Sequence, residues 1–155
     1  MVHLVVVDVE TRSVVTLEDN KAVVRQLFDA INNCAINRLP ELVDAEVVDH
    51  NAVIFMQPDG PGGVEEGVRM LLAGFPDLEV RVEELIAEAD RVVARFVLSG
   101  TNTGEYRGLP APTNRHFENE AIAIFRIDDG KVAEIRGTAD RLSMLVQLGI
   151  LPDIG

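Results

Sequence analysis

The chain has 155 residues, of which 47% are apolar and 26% are charged, and its formal net charge at pH 7 is -12. This length and apolar content suffice for one hydrophobic core and exclude a disordered chain. The negative charge argues against nucleic acid and anionic membranes as partners, because both are bound through basic patches. We therefore expect one globular domain.

Two local features bear on the compartment. The single cysteine, Cys34, excludes an internal disulfide and is interpreted as a packing residue. The apolar run that begins at Leu4 is too short to cross a bilayer and follows no basic leader. These features predict a cytoplasmic protein that does not enter a membrane.

The first half of the chain alternates strand and helix signals. Residues 3–15 have strand composition with a turn, so we interpret residues 1–17 as an N-terminal extension and residues 18–155 as the domain. Thr16 and Asp19 form a capping-box pattern before a helical apolar repeat that ends at Ile31. A short helix is predicted at Leu39–Val43, then a strand over residues 46–56.

A loop rich in proline and glycine, residues 57–63, precedes a second long helix. Its apolar positions recur with helical spacing: Val64, Val68, Leu71, Leu72 and Phe75. After Pro76 the period changes to nearly two, which predicts a meander of antiparallel strands. These strands begin near Leu78 and cover residues 92–99, 115–127 and 131–137.

The C-terminal part ends in a short helix. Asp140 is placed to cap it, it runs through Leu148, and Gly149 closes it. Helices early in the chain and a curved antiparallel sheet late predict an α+β fold with the helices packed on one face of the sheet.

Five segments in this order carry a resemblance to a known family: residues 47–51 (VVDHN), 74–78 (GFPDL), 99–105 (SGTNTGE), 129–134 (DGKVAE) and 147–149 (QLG). Together they resemble the SnoaL-like polyketide cyclases of the nuclear-transport-factor-2-like superfamily. The resemblance implies a cone that encloses an apolar pocket for a small hydrophobic ligand. It also implies cofactor-independent enzymes that catalyse intramolecular aldol closure, and a homodimer formed through the outer sheet face.

The same resemblance places the family's functional positions. The acid/base aspartate on the last strand matches Gly137 here, and a histidine on the preceding strand matches Ala123. The histidine that is frequent in the GTHTG turn is replaced by Asn102. His50 aligns with the first-strand site at which related isomerases carry their catalytic aspartate.

Two residues are candidates for acid/base catalysis. His50 carries an imidazole, a side chain suited to act as a base near neutral pH, and strand alternation would put Asp49 and Asn51 on the face opposite to it. The alternative for His50 is a cavity-wall histidine that holds one hydrogen bond. Asp140 could reach the pocket mouth, although its position before Leu142 suits a helix cap better.

Five further residues are expected to contact a substrate. Asn119 shares its strand face with Phe125, and Asn102 and Asn119 would orient or polarise the ligand, with Phe55, Phe125 and Ile135 as apolar walls. No metal site is expected, since the histidines have no ligand spacing with carboxylates or with Cys34. No cofactor is expected either.

Three functions remain open from the sequence. The first is a cofactor-independent cyclase or isomerase of secondary metabolism, acting on a polyketide-like carbonyl compound with His50 as base. The second is a binding module that lost its acid/base pair, which Gly137 and Ala123 favour. The third is an epoxide-opening or hydroxylating enzyme, which should show paired carboxylates in its cavity.

Overall fold

The computed structural model describes residues 14–153 and residue 155, so most of the predicted N-terminal extension lies outside the described residues. The predicted α+β class is confirmed. In chain order the elements are α1 (Leu17–Asn32), a 3-10 turn (Ile36–Arg38), α2 (Leu39–Leu42), β1 (Val43–Asn51), α3 (Gly63–Gly74), β2 (Glu79–Glu88), β3 (Arg91–Thr101), β4 (His116–Asp128), β5 (Lys131–Ala139) and α4 (Arg141–Gln147).

Both ends of the fold are fixed by the predicted caps. At α1 the Asp19 amide donates to Thr16 Oγ1 at 3.1 Å, and the Thr16 amide donates to Asp19 Oδ2 at 2.8 Å. At α4 the Ser143 amide donates to Asp140 Oδ1 at 2.9 Å, and Gly149 closes the helix with φ +74°. These side chains satisfy backbone donors that a helix terminus leaves free.

The five strands form one curved sheet in the order β1-β5-β4-β3-β2. The predicted antiparallel meander from β2 to β5 is confirmed. The expectation that the whole sheet is antiparallel is wrong, because β1 pairs parallel with β5. The chain between these strands contains α3 and the other three strands, so it is long enough for the crossover that a parallel pair requires.

The predicted first strand also ends early. Pairing stops at Asn51, whereas the sequence predicts a strand to Met56. The β-branched residues Val53 and Ile54 pack against the core instead of extending the ladder. Met56 has φ +63°, a left-handed conformation that extended pairing does not allow. Residues 52–62, which we call the cap loop, therefore leave the sheet.

The inner face of the sheet packs against α1 and α3. Along β4, buried and exposed residues alternate, and Phe117, Asn119, Ala121, Ala123 and Phe125 all point inward. The alternation that the sequence predicts for this strand is therefore confirmed. No helix within residues 14–153 is long and apolar enough to span a membrane.

Candidate active site

An apolar cavity of about 80 Å³ lies between the inner sheet face and helices α1 and α3. Phe125 and Ile135, both predicted as walls, line it. Its other apolar walls are Leu27, Phe28, Ile31, Val53, Ile54, Val64, Val68, Leu71, Val80, Phe96, Leu98 and Ala123, and its polar lining consists of Asp49 and Gln57. Asp49 is thus the carboxylate that this cavity contains.

Asp49 projects from the inner face of β1 and is half-buried. Its Oδ2 accepts a hydrogen bond from Gln57 Nε2 at 2.9 Å. Its Oδ1 is buried and has no hydrogen-bond partner among the described residues. Burial raises the pKa of the Asp49 carboxyl above its ordinary value, although the bond from Gln57, the Asn51 backbone amide and the charges of His50 and Arg141 oppose this rise. One oxygen is therefore held by the protein, and the other is free to accept a proton.

Gln57 is positioned by the surface of α3. A Cβ atom at Gly67 would lie 2.7 Å from Gln57 Cγ, so a larger residue there would displace the Gln57 side chain from this position. Because Gln57 Nε2 donates to Oδ2 of Asp49, Oδ1 is the oxygen that Gln57 leaves without a bond. We infer that Gln57 is a positioning residue for the carboxylate.

Two more side chains hold the cap loop over the cavity. The Tyr106 hydroxyl donates to the Phe55 carbonyl, and the Arg141 guanidinium donates to the Ala52 carbonyl. Burial raises the pKa of the Tyr106 phenol, which keeps the hydroxyl protonated as a donor. The cap loop is thus bonded to β1, to α4 and to the loop that follows β3.

The structure places His50 outside the cavity, on the outer sheet face. Its Nε2 lies 3.0 Å from Glu134 Oε1, and Arg126 Nε donates to Glu134 Oε2 at 2.5 Å. These bonds from His50 and Arg126 lower the pKa of Glu134 to about 2. Asp49 and His50 lie on opposite faces of β1, as the sequence predicts. The prediction that His50 lies on the cavity face is wrong, because Asp49 lines the cavity. Val47 is buried and Val48 is 49% exposed, which sets the phase of the strand.

Asp140 also lies away from the cavity. It is exposed, caps α4, and borders an outer depression together with Arg95 and Glu120. The contacts of Asp140 therefore agree with its interpretation as the N-cap of α4. Its carboxylate and that of Asp49 do not line the same cavity.

The three remaining predicted ligand contacts differ in their surroundings. Asn102 is buried, and its amide is fully bonded to backbone and side-chain groups, which makes it a structural residue. Asn119 is buried on the inner face beside Leu98, and the described residues offer no hydrogen bond to its amide. The Phe55 side chain packs against the core without lining the cavity.

Residues 21–148 match the family of SnoaL-like polyketide cyclases, which is more than half of the chain. The chain belongs to this family. It is 32% identical to the aklanonic acid methyl ester cyclase DnrD of Streptomyces peucetius over 81% of this chain and 88% of DnrD. It is 37% identical to the nogalonic acid methyl ester cyclase of Streptomyces nogalater over 58% of this chain and 67% of the relative.

Solved structures confirm the SnoaL-like fold. TsrD from Streptomyces laurentii superposes with a TM-score of 0.78 at 27% identity, over 89% of this chain and all of TsrD. IdmH from Streptomyces antibioticus superposes with a TM-score of 0.71 at 29% identity, over 84% of this chain and 98% of IdmH.

The two positions at which the resemblance predicts an acid/base pair, Gly137 and Ala123, are closely packed in this SnoaL-like chain. Gly137 and Ala123 are register partners on neighbouring strands. A Cβ atom at Gly137 would overlap Val53 Cγ2 of the cap loop. Val53 therefore occupies the space into which a side chain at residue 137 would project.

We predict that Gly137→Ala lowers the free energy of unfolding by about 1–3 kcal/mol, because overpacking forces Val53 and its loop to move. Val53→Ala should restore part of this loss in the double variant. Urea unfolding of the two single variants and the double variant measures the coupling. Additive losses would show that Val53 does not occupy this space.

Proposed function

We propose that the chain is a cofactor-independent cyclase that closes a ring in a polyketide-like ester, with Asp49 as the general base. The observation that carries this proposal is that Asp49, whose Oδ1 is buried and has no hydrogen-bond partner among the described residues, is the carboxylate in the lining of an apolar cavity. The family and the relatives named as methyl ester cyclases support the substrate class. By this similarity, the ligand is the methyl ester of a polyketide acid.

The proposed reaction needs one group that both takes and returns a proton. Asp49 Oδ1 removes a proton from a carbon that is activated by an adjacent carbonyl group. The resulting enolate carbon attacks a ketone of the same molecule and forms the new carbon–carbon bond. The alkoxide then takes the proton back from Asp49, so no atom is gained or lost. A raised pKa suits this exchange, because it brings the carboxyl closer to the pH at which the enzyme works.

The enolate also needs a hydrogen-bond donor. Asn119 lies on the inner face, and its register partner Leu98 lines the cavity. Because the described residues do not engage its amide, we propose that Asn119 donates to the ligand oxygen. A preorganised donor of this kind stabilises charge that develops in the transition state.

The pH dependence tests Asp49 directly. We predict that kcat/KM for aklanonic or nogalonic acid methyl ester rises with pH as Asp49 loses its proton, with an inflection above the ordinary aspartate value. The same raised pKa means that the folded state binds the proton more tightly. Asp49 therefore stabilises the fold most at low pH, and this contribution is lost as pH rises through its folded-state pKa.

The measurement combines a pH–rate profile with urea unfolding at each pH. Asp49→Asn should remove the stability change across this pH window. An inflection at or below the ordinary aspartate value would assign the base to another group.

A binding module remains the second candidate. The observation that favours it is the packing at Gly137 and Ala123, which leaves the family's acid/base positions without a titratable group. This candidate predicts saturable binding of the same methyl esters with no ring-closed product. The third candidate requires paired carboxylates, and Asp49 is the single carboxylate that lines the cavity within the described residues.

We also propose a homodimer formed through the outer sheet face. Ile86, Val93 and Ile124 are register partners across three strands and form an apolar row, with Ile122 beside it. Ile86, Ile122 and Ile124 are exposed. Side chains of both charges flank the row, among them Arg95 and Glu120, which form an ion pair. A second copy of the chain, related by a two-fold axis, could therefore place its own apolar row and charged residues against these.

We predict that Ile124→Glu shifts the protein from dimer to monomer in analytical ultracentrifugation, because it places a charge inside the proposed interface. The control is Leu142→Glu, which changes a more exposed apolar residue on α4. A wild-type protein that is monomeric at every concentration tested would contradict the proposal.

A further inference from the structure

An open groove lies next to the apolar cavity and has about 470 Å³ of free space. It is bounded by α2, the start of β1, the end of the cap loop and the start of α3. Its apolar lining consists of Leu39, Pro40, Val43, Ala45, Val47, Pro61 and Val64. Neither the family match nor the reaction proposed above assigns a role to this groove.

The groove and the cavity adjoin at two places. Val64 lines both of them. On β1, Val47 lines the groove, whereas Asp49 lines the cavity two residues later on the same strand face. Positions two apart on one strand face are separated by about 6.6 Å. A single ligand that passes Val64 could therefore reach Asp49 from the groove.

The cavity is small and the groove is large, as a ligand that occupies both would require. Pockets for ligands of drug size measure roughly 300–1,000 Å³. The cavity at Asp49, with about 80 Å³, has room for only a small part of such a molecule. The groove, with about 470 Å³, has room for the remainder.

We propose that the groove is the second half of the substrate site, and that it binds the part of an elongated aromatic polyketide that lies far from the reacting carbon. Val64 forms the partition that the ligand passes, and it therefore limits the width of the molecule. This inference rests on the proposed function, because it takes Asp49 as the reacting end.

The charges at the groove indicate the chemistry of the distal end. Lys131 Nζ donates to the Pro40 carbonyl at 3.0 Å and makes no ion pair with the described residues. Of the two carboxylates that line the groove, Glu65 accepts from Arg69 Nη2 at 2.7 Å, and Asp44 accepts from a backbone amide. Lys131 is thus the cation available to a ligand.

The distance along β5 fits an elongated ligand. Ile135 lines the cavity and is the register partner of Asp49, and it lies four residues after Lys131. Four residues of a strand span about 13 Å. The ligand class is therefore a flat aromatic polyketide with its enolisable carbonyl at one end and, at the other, an anionic group other than the esterified carboxyl, such as an ionised phenol.

Two non-reactive fluorescent probes test this site: anthracene-2-carboxylate and the neutral anthracene-2-carboxamide. Fluorescence titration gives their Kd values on the full-length chain and its variants. Lys131→Met should weaken binding of the carboxylate by about two- to fivefold and leave the Kd of the amide unchanged. Val47→Phe, which fills the groove, should weaken both probes by about tenfold or more. Val64→Phe, which closes the passage, should do the same.

The matched control is Val48→Phe, the same substitution one residue later on the opposite, exposed face of β1, which should leave both Kd values unchanged. Unchanged binding in Lys131→Met and Val47→Phe would overturn the groove as a ligand site. A loss in Val47→Phe without a loss in Val64→Phe would overturn the passage to the cavity. Lys131→Met changes a side chain at the rim, so it keeps the test decisive even if Val47→Phe fails to fold.

The outcomes that test the groove, which are probe Kd values, can be distinguished from those that test Asp49 as the base, which are turnover rates. Probe binding involves no proton transfer, so it should persist in Asp49→Asn. A chain whose groove binds the probes while Asp49→Asn keeps full turnover would refute the role of Asp49 and preserve the groove. Loss of turnover in Asp49→Asn, with no probe binding to the wild-type chain or to any variant, would preserve the role of Asp49 and refute the groove as a ligand site.

Discussion

Asp49→Asn is expected to lower kcat for ring closure of aklanonic or nogalonic acid methyl ester by about 100- to 10,000-fold, the usual contribution of a general base. Asparagine keeps the size of the side chain and its bond with Gln57, but it cannot accept the substrate proton at Oδ1. KM should change little, because the apolar walls are untouched. Single-turnover kinetics with product detection by mass spectrometry measures the effect.

The matched control is His50→Gln, which removes the ring on the outer face of the same strand. It should retain activity within a few-fold. If His50→Gln loses turnover and Asp49→Asn keeps it, the histidine hypothesis from the sequence is correct and the assignment of Asp49 is wrong. Far-UV circular dichroism of both variants confirms that the fold is intact.

Asn102→Ala is expected to have the largest effect on stability, roughly 3 kcal/mol, with a fall in Tm of roughly 6–12 °C. The Asn102 amide donates to the carbonyls of Gly74 and Gly104, and its oxygen accepts from the amide and hydroxyl of Thr113. One buried side chain thus joins the end of α3 to both ends of the loop between β3 and β4. Its removal leaves several buried polar groups without partners.

Calorimetry and urea unfolding measure this loss. The control is Thr103→Ala, an exposed neighbour that should change stability by less than about 0.5 kcal/mol. A loss of the same small size in Asn102→Ala would show that water replaces these hydrogen bonds. Asn102 was predicted from the sequence as a ligand contact, and its four bonds explain why it has no free donor for a ligand.

The site also suggests how related chains of one fold can carry their acid/base group on different strands. The resemblance predicts the family's aspartate at Gly137 on the last strand, and Val53 fills the space beside this glycine. The carboxylate that remains, Asp49, projects into the same cavity from β1. A proton acceptor needs only the correct position relative to the ligand, so either strand could supply it.

Much of the fold was predictable because its signals are local. The capping box at Thr16, the helical repeat from Val64 and the alternation around Ala123 depend on neighbours in sequence, and the structure confirms all three. The end of β1 was not predictable in this way. Val53 and Ile54 have strand composition, yet they lie in the cap loop and pack against the core, where tertiary contacts override strand propensity.

The sequence by itself determined the α+β class, the helices and the antiparallel meander, because periodicity and caps are properties of short segments. Only the tertiary structure decided which face of β1 lines the cavity. The adjacent residues Val47 and Val48 fit either phase of a two-residue repeat, and packing buries Val47 and leaves Val48 exposed. This choice of phase directs Asp49 inward and His50 outward, because successive side chains of a strand point to opposite faces.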